Sequence, residues 1–334
     1  MKTILVTGSS GFIGFHLCKT LLKAGYRVVG YDAMTDYYDV SLKIDRRDIL
    51  LKHASFVNIE DKIENLSRLN EISEQYSPNI VVHLAAQAGV RYSIDEPRSY
   101  VDANLIGTFN ILELSRNYNI EHLLIASTSS VYGANTKMPF KETDQSDHQV
   151  SFYAATKRAA EAMSHSYSHL YGIPTTMFRF FTVYGEWGRP DMALFKFTKA
   201  IMNNDSIDIY NNGDMKRDFT YVADLVEAIN RLILCKPDHK KTISNEFDST
   251  SPVAPWRIVN IGNSEPVGLM AYIEALENSL GQIAVKNYMP MQAGDVAETF
   301  ADTRLLYALT NFRPKTSVHE GVQHFVDWYR GYYK

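Results

Sequence analysis

A short apolar run, Thr3-Ile4-Leu5-Val6-Thr7, passes without a linker into Gly8-Ser9-Ser10-Gly11-Phe12-Ile13-Gly14. A helical pattern (Phe15, Leu17, Leu21, Leu22) follows at once and closes at Gly25. Few folds accommodate this succession. A β-prone run with no polar alternation is a strand buried on both faces. Glycines directly after it let the backbone turn tightly and approach a diphosphate, and the next helix offers its free N–H groups and positive dipole end. The spacing is G-x-x-G-x-x-G, not G-x-G-x-x-G, so the glycines alone also fit an ordinary strand-to-helix turn. A second strand, Arg27-Val28-Val29-Gly30-Tyr31, ends at Asp32. A carboxylate there accepts hydrogen bonds from both ribose hydroxyls of an adenosine and repels a 2′-phosphate, which selects NAD over NADP.

The alternation continues. Strands are expected at 55–59, 80–84, 122–127 and 175–180, with helices at 63–76, 97–119 and 152–171. Apolar strands alternating with helices define an α/β, Rossmann-type doubly wound parallel sheet, with ligands at the carboxyl ends of its strands. Residues 33–51 are polar and tyrosine-rich, and are expected as a loop plus a short helix. Beyond Tyr184 the pattern loosens. Helices at 221–234, 268–280 and 318–329 bracket shorter strands, and the polar, aperiodic stretch 236–251 reads as a surface excursion. The chain thus divides into an NAD-binding domain over 1–180 and a smaller C-terminal substrate-binding lobe over 181–334, interleaved with late elements of the sheet.

Chemistry enters at Tyr153-Ala154-Ala155-Thr156-Lys157, downstream of Ala126-Ser127-Thr128-Ser129-Ser130-Val131-Tyr132-Gly133. On an alanine-rich helix Tyr153 and Lys157 share one face, with Cβ atoms roughly 5–6 Å apart. An ammonium at that distance is expected to stabilise the phenolate and lower the tyrosine pKa from about 10. Such a tyrosine takes a proton from a sugar hydroxyl when a nicotinamide accepts the hydride.

Composition narrows the partners. A net charge of −4 over 334 residues gives no electrostatic case for nucleic acid or an anionic membrane. No apolar run approaches the ~18 residues of a membrane span. Cys18 and Cys235 are far apart with no CxxC, the usage of a reduced, cytoplasmic protein. His165 and His169 share a helix face, but without a third ligand no metal is expected.

With these pieces together, the chain resembles the extended short-chain dehydrogenase/reductases, and within them the nucleotide-sugar epimerases, above all those acting on UDP-glucuronate. The resemblance spans almost the whole length. It rests on Gly8–Gly14, Leu84-Ala85-Ala86-Gln87-Ala88-Gly89-Val90-Arg91-Tyr92-Ser93, the Thr128 segment, Tyr153/Lys157, Phe181-Thr182-Val183-Tyr184-Gly185-Glu186-Trp187-Gly188-Arg189-Pro190-Asp191 and Lys216-Arg217-Asp218-Phe219-Thr220-Tyr221-Val222. It implies that Gly8, Gly11, Phe12, Ile13, Gly14 and Asp32 bind NAD. Leu84, Ala85, Ala86, Gln87, Asn104, Tyr153 and Lys157 would line the same cofactor. Thr128 and Tyr153 would contact the sugar's 4-hydroxyl, with Arg217 and Asp295 near the UDP part. Relatives often carry an aspartate just after the third strand, where this chain has Asn58-Ile59-Glu60-Asp61, so the adenine contact stays open between Asn58 and Glu60. A homodimer is also implied, paired through the 97–119 and 152–171 helices, with Ile111, Leu114, Ala159 and Met163 outward.

Relatives that dehydrate their 4-keto sugar carry an Asp-Glu pair after the active-site threonine, and decarboxylating ones a glutamate. This chain has Ser129 and Ser130, which do not exchange protons near pH 7. The expected reaction is therefore 4-epimerisation of a UDP-hexuronic acid with no net redox change. Arg189 is expected to hold the sugar carboxylate bidentately, with Thr182, Ser129 and Ser130 as neutral donors. A surface salt bridge or a diphosphate contact is the other role open to Arg189. The competing activities are 4-epimerisation of UDP-galactose or a UDP-N-acetylhexosamine, and decarboxylation of UDP-glucuronate.

Overall fold

The computed structural model describes residues 1–292 and 296–333. The first half runs β1 (Thr3–Thr7), α1 (Phe12–Lys23), β2 (Arg27–Asp32), α2 (Val40–Leu51), β3 (Phe56–Glu60), α3 (Leu66–Tyr76) and β4 (Ile80–His83). Then come α4 (Tyr92–Asp95), α5 (Pro97–Tyr100), a π-helical turn (Val101–Ile106), α6 (Gly107–Asn117), β5 (His122–Thr128), α7 (Phe152–Tyr171) and β6 (Thr175–Phe180). The second half holds β7 (Thr182–Tyr184), α8 (Ala193–Met202), β8 (Ser206–Ile209), β9 (Lys216–Tyr221), α9 (Val222–Leu232) and β10 (Trp256–Ile261). It ends with β11 (Pro266–Gly268), α10 (Leu269–Leu280), β12 (Val285–Tyr288), β13 (Glu298–Thr299), α11 (Arg304–Thr310) and α12 (Val318–Tyr332).

Seven strands form one parallel sheet in the order β10-β6-β5-β4-β1-β2-β3. The alternation of apolar strands and helices thus yields the expected doubly wound α/β sheet. Each strand feeds two cores. Ile4 and Val6 of β1 pack with Phe15, Leu21 and Leu225 on one face, and Leu5 packs with Ile72, Leu112 and Leu123 on the other. Burying each such side chain contributes about 1.5–3 kcal/mol.

The chain winds outward from β1 through β2 and β3, then crosses back to start β4 on β1's other side. That reversal opens a crevice beyond the carboxyl ends of β1 and β4, the place where open α/β sheets bind ligands. Two glycines make its walls fit. At Gly8 (φ +73°) a Cβ would stand 2.9 Å from the Ala85 backbone nitrogen, and at Gly14 it would stand 1.9 Å from the Gly8 carbonyl oxygen. Neither position accepts a side chain.

A smaller sheet is centred on β9, with β11 antiparallel and β13 and β7 parallel to it. Its anchor is Asp218, fully buried, whose carboxylate accepts the N–H groups of Asn263 (2.6 Å), Ser264 (3.0 Å) and Ala301 (3.1 Å).

Two expected elements differ. The helix expected at 97–119 is broken: α5 gives way to the π-helical turn before α6. The widened turn carries Asn104, whose side chain bonds both backbone groups of Gln87, a tertiary contact that periodicity does not encode. Within 33–51, α2 is a full twelve-residue helix, N-capped by Asp39 accepting the Ser41 N–H. It reads as polar because two residues on its buried side are Lys43 and Arg46. His165 and His169 of α7 bond Ser251 and the Val253 carbonyl, so they fasten the end of the polar excursion to the helix. Among the described residues no helix is long and apolar enough to cross a membrane.

Candidate active site

The glycine turn is held from both sides. The Ser10 N–H donates to Asp32 Oδ2 at 3.0 Å, and the Ser10 carbonyl accepts from Arg46 Nη1 at 3.0 Å. Asp32 Oδ1 takes the Met34 N–H at 2.9 Å, so each oxygen keeps one lone pair for a ribose hydroxyl. Among the described residues no side chain caps α1 at Gly11, and its first turn, Phe12, Ile13 and Gly14, follows the glycine turn directly. Across that crevice Leu84, Ala85, Ala86 and Gln87 leave β4, with the Ala85 N–H on Thr7 Oγ1 at 3.1 Å. An uncapped helix start, a turn with no room for a Cβ and a strand-end carboxylate together fit a dinucleotide. Asn104 is buried and bonds Gln87 on one side and Thr156 Oγ1 (3.0 Å) on the other, so it braces this wall from behind. At the adenine end, Glu60 is exposed and pairs with Arg47 at 3.4 Å.

Ser151 caps α7 by accepting the Ala154 N–H at 3.1 Å, which starts the helix one residue before Tyr153. The Tyr153 ring meets Tyr100 edge-on at 6.0 Å, and Thr128 at the end of β5 acts on its hydroxyl to favour the phenolate. Tyr100 is fixed in turn by the Ala88 carbonyl at 3.1 Å. Ser129 and Ser130 follow Thr128 in a 3₁₀ turn, with the Ser130 N–H on Thr128 Oγ1 at 3.2 Å.

The electrostatics depart from expectation. Burial pushes the Tyr153 phenol above its ordinary pKa, opposed by the Thr128 hydrogen bond and the charge of Arg189. Lys157, one turn along the same helix, is turned toward β5. Its Nζ donates to the Ala126 carbonyl at 2.9 Å, and burial lowers its pKa to about 8 against the opposing pull of Glu161. Four-residue spacing placed the two side chains on one face but did not determine where the long lysine side chain ends.

One turn beyond Lys157 lies a group that the sequence reading missed. Glu161 and Arg179 of β6 form a fully buried ion pair, with Nε–Oε1 at 3.0 Å and Nη2–Oε2 at 2.9 Å. The Ser127 hydroxyl donates to the same carboxylate at 2.6 Å, next to Thr128. Burial raises the Glu161 pKa, but Arg179 and these hydrogen bonds outweigh it and hold the group below the ordinary carboxylate range. The continuation of the 153/157 ladder to 161 was the available signal.

Thr182 and Arg189 line one opening together with Phe12, Leu194, Phe219 and Phe325. Arg189 grips Asp191 with Nε at 2.9 Å and with Nη2, and the Tyr37 hydroxyl also donates to Asp191 at 3.2 Å. Arg217 holds the Ala297 carbonyl at 3.0 Å. Asp295, expected beside it, lies outside the described residues.

Comparison with known proteins agrees with this geometry. Residues 4–244 match the NAD dependent epimerase/dehydratase family. The chain is 52% identical to a probable UDP-glucuronate 4-epimerase of Rhizobium meliloti, covering 99% of this chain and 97% of that one. It is 42% identical to UDP-glucuronate 4-epimerase 4 of Arabidopsis thaliana, covering 99% of this chain and 76% of the plant protein. The crystal structure of UDP-glucuronic acid 4-epimerase from Bacillus cereus, in complex with UDP-glucuronic acid and NAD, superposes with a TM-score of 0.87 at 31% identity, over 98% of this chain and 99% of that one. The protein described here belongs to the NAD dependent epimerase/dehydratase family.

Proposed function

We propose that this protein is an NAD-dependent UDP-glucuronate 4-epimerase, converting UDP-glucuronate to UDP-galacturonate. One observation carries the choice of reaction: the two positions after Thr128 hold Ser129 and Ser130, where a dehydratase or decarboxylase would need a carboxyl group. Ser129 and Ser130 do not titrate near neutrality, and the nearby Glu161 is committed to Arg179 and Ser127. Thr128 would hold the 4-oxygen of the sugar while Tyr153 takes its proton. Bound NAD supplies the acceptor, and later the donor, of the C4 hydride. A 4-keto sugar with no group at hand to eliminate or decarboxylate it returns to the alcohol, and rotation of the ring before that return inverts C4. Gly8–Gly14, Asp32, Leu84–Gln87 and Lys157 would hold the cofactor. On this reading residues 1–180 carry the dinucleotide and 181–334 the sugar.

NMR of the product formed from UDP-glucuronate without added cofactor tests the proposal. UDP-galacturonate is expected. Release of CO₂ with a pentose product, or turnover of UDP-galactose but not of UDP-glucuronate, overturns it.

Arg189 is the proposed carboxylate ligand. Asp191 occupies its Nε and Nη2 edge, so a substrate carboxylate would be met by the Nη1 side of the guanidinium. Arg189→Ala is expected to weaken use of UDP-glucuronate roughly ten- to a hundredfold, the loss of a charged hydrogen bond of about 1.5–3 kcal/mol, with little effect on UDP-glucose binding. Equal losses on both ligands would move Arg189 to the diphosphate.

The assembly read as most consistent is a homodimer. Ile111 and Leu114, expected outward, are fully buried among Leu69 and Ile72. The apolar residues that α6 and α7 do expose are Phe109, Phe152, Leu170 and Tyr171, beside Ile106 of the π-helical turn. Light scattering at micromolar concentration should give twice the chain mass, and a monomeric mass removes the dimer.

A further inference from the structure

Arg46 of α2 is fully buried, yet among the described residues no carboxylate is bonded to it. A guanidinium taken out of water without a counter-charge is costly, so its acceptors matter. They come from three segments: the glycine turn, the stretch before α2 and the 187–188 loop. Nη1 donates to the Ser10 carbonyl of the glycine turn at 3.0 Å and to the Tyr38 hydroxyl at 2.8 Å. Nη2 donates to the Trp187 carbonyl at 2.6 Å and reaches the Gly188 carbonyl at 3.5 Å.

The far end of this bridge is strained. Trp187 has φ +59°, a left-handed conformation that a bulky residue keeps only when its surroundings hold it. Its ring is packed against Phe15 (5.5 Å), Trp328 (5.3 Å) and Tyr332 (5.0 Å). Tyr332 is itself bonded to Asp45, the residue before Arg46. Ring and carbonyl of Trp187 are therefore fixed by α1, α12 and α2 together. Two residues on stands Arg189.

We propose that Arg46 is a positioning residue for substrate selection: it locks the Trp187–Gly188 backbone to the dinucleotide cradle and thereby sets where Arg189 meets the sugar carboxylate. This inference rests on the reading of Arg189 given under the proposed function. It ties the cofactor turn to the specificity loop, alongside the His16 contact with the Glu186 carbonyl at 2.8 Å and the packing of Trp187 on Phe15.

The test is calorimetric binding of UDP-glucuronate and UDP-glucose to NAD-loaded protein, in a Tyr153→Phe background so that the ligands are not turned over. Arg46→Met should weaken UDP-glucuronate about tenfold and leave UDP-glucose within about twofold. Adding Arg46→Met to Arg189→Ala should cost nothing further, because the two act as one. Equal weakening of both ligands, or a full additional loss in the Arg189→Ala background, overturns the proposal and makes Arg46 a general support of the fold. Where Arg46→Met does not yield folded protein, Trp187→Gly removes the ring anchor at a backbone angle that glycine accepts. The same selective loss is expected there, and its absence is equally decisive. Selective loss in Arg189→Ala without any in the Arg46 or Trp187 variants refutes only the positioning role. No selective loss in Arg189→Ala removes the carboxylate reading and this inference with it.

Discussion

Tyr153→Phe is expected to lower UDP-glucuronate turnover by about two to four orders of magnitude, the usual contribution of a positioned proton acceptor. The substitution deletes one oxygen. The ring keeps its edge contact with Tyr100, so neither the fold nor the bound NAD should change. Thr128 would still hold the sugar oxygen but is far too weak a base to deprotonate it. Burial pushes the phenol's pKa up, so the phenolate depends on the surrounding donors and on the charge of Arg189. Turnover can be followed by NMR and NAD content by denaturing release. A rate comparable to the unmodified protein, with the cofactor still present, would place the base elsewhere.

Arg179→Met should be the most destabilising single change near the site. It leaves the Glu161 carboxylate buried without its ionic partner, and breaking such a pair costs about 3–5 kcal/mol. Arg158, at 3.2 Å and half-exposed, compensates only in part. Denaturant titration measures the loss. Replacing both partners, with Glu161→Leu added to Arg179→Met, should recover part of the stability, since an apolar pair carries no uncompensated charge. A double variant weaker than the single one would show that Glu161 has an independent structural role. Because the folded pKa of Glu161 is depressed, its stabilisation is present above the ordinary carboxylate value of 4.5 and is lost as pH falls through the folded value. Arg179→Met should therefore be less acid-sensitive than the parent protein over that range.

The sheet was legible because its signal is local. Thr175–Phe180 reads as a strand from its own residues, and it folds as one with those bounds. The glycine turn was legible for the same reason, since each glycine answers a clash within a few residues or across one crevice. What failed were features settled by distant partners. The break before α6 follows from Asn104 reaching Gln87, and the direction of Lys157 follows from the Ala126 carbonyl. Arg46 could not be read at all: a buried arginine in a polar helix looks like a solvated one until the loops it joins are seen. Arg189 was expected to hold the sugar carboxylate, with a salt bridge as its other open role; its pairing with Asp191, two residues away in an irregular loop, has no periodic signature.

The edge strand β10 has a consequence for how such a chain comes to be folded. It covers the open side of β6, pairing residue for residue from Thr175 to Phe180, although the whole of β7, α8, β8, β9 and α9 intervenes in sequence. A nascent chain that has emerged only as far as Phe180 therefore carries a bare row of amide and carbonyl groups on its β6 side, the kind of edge to which other strands add. The first part cannot be completed before the second is under way, so the two halves mature as one event on or after the ribosome. Splitting genes or grafting lobes at residue 180, or at a junction in the polar excursion ahead of Trp256, would alike divide a single sheet and leave its edge strand to be supplied in trans.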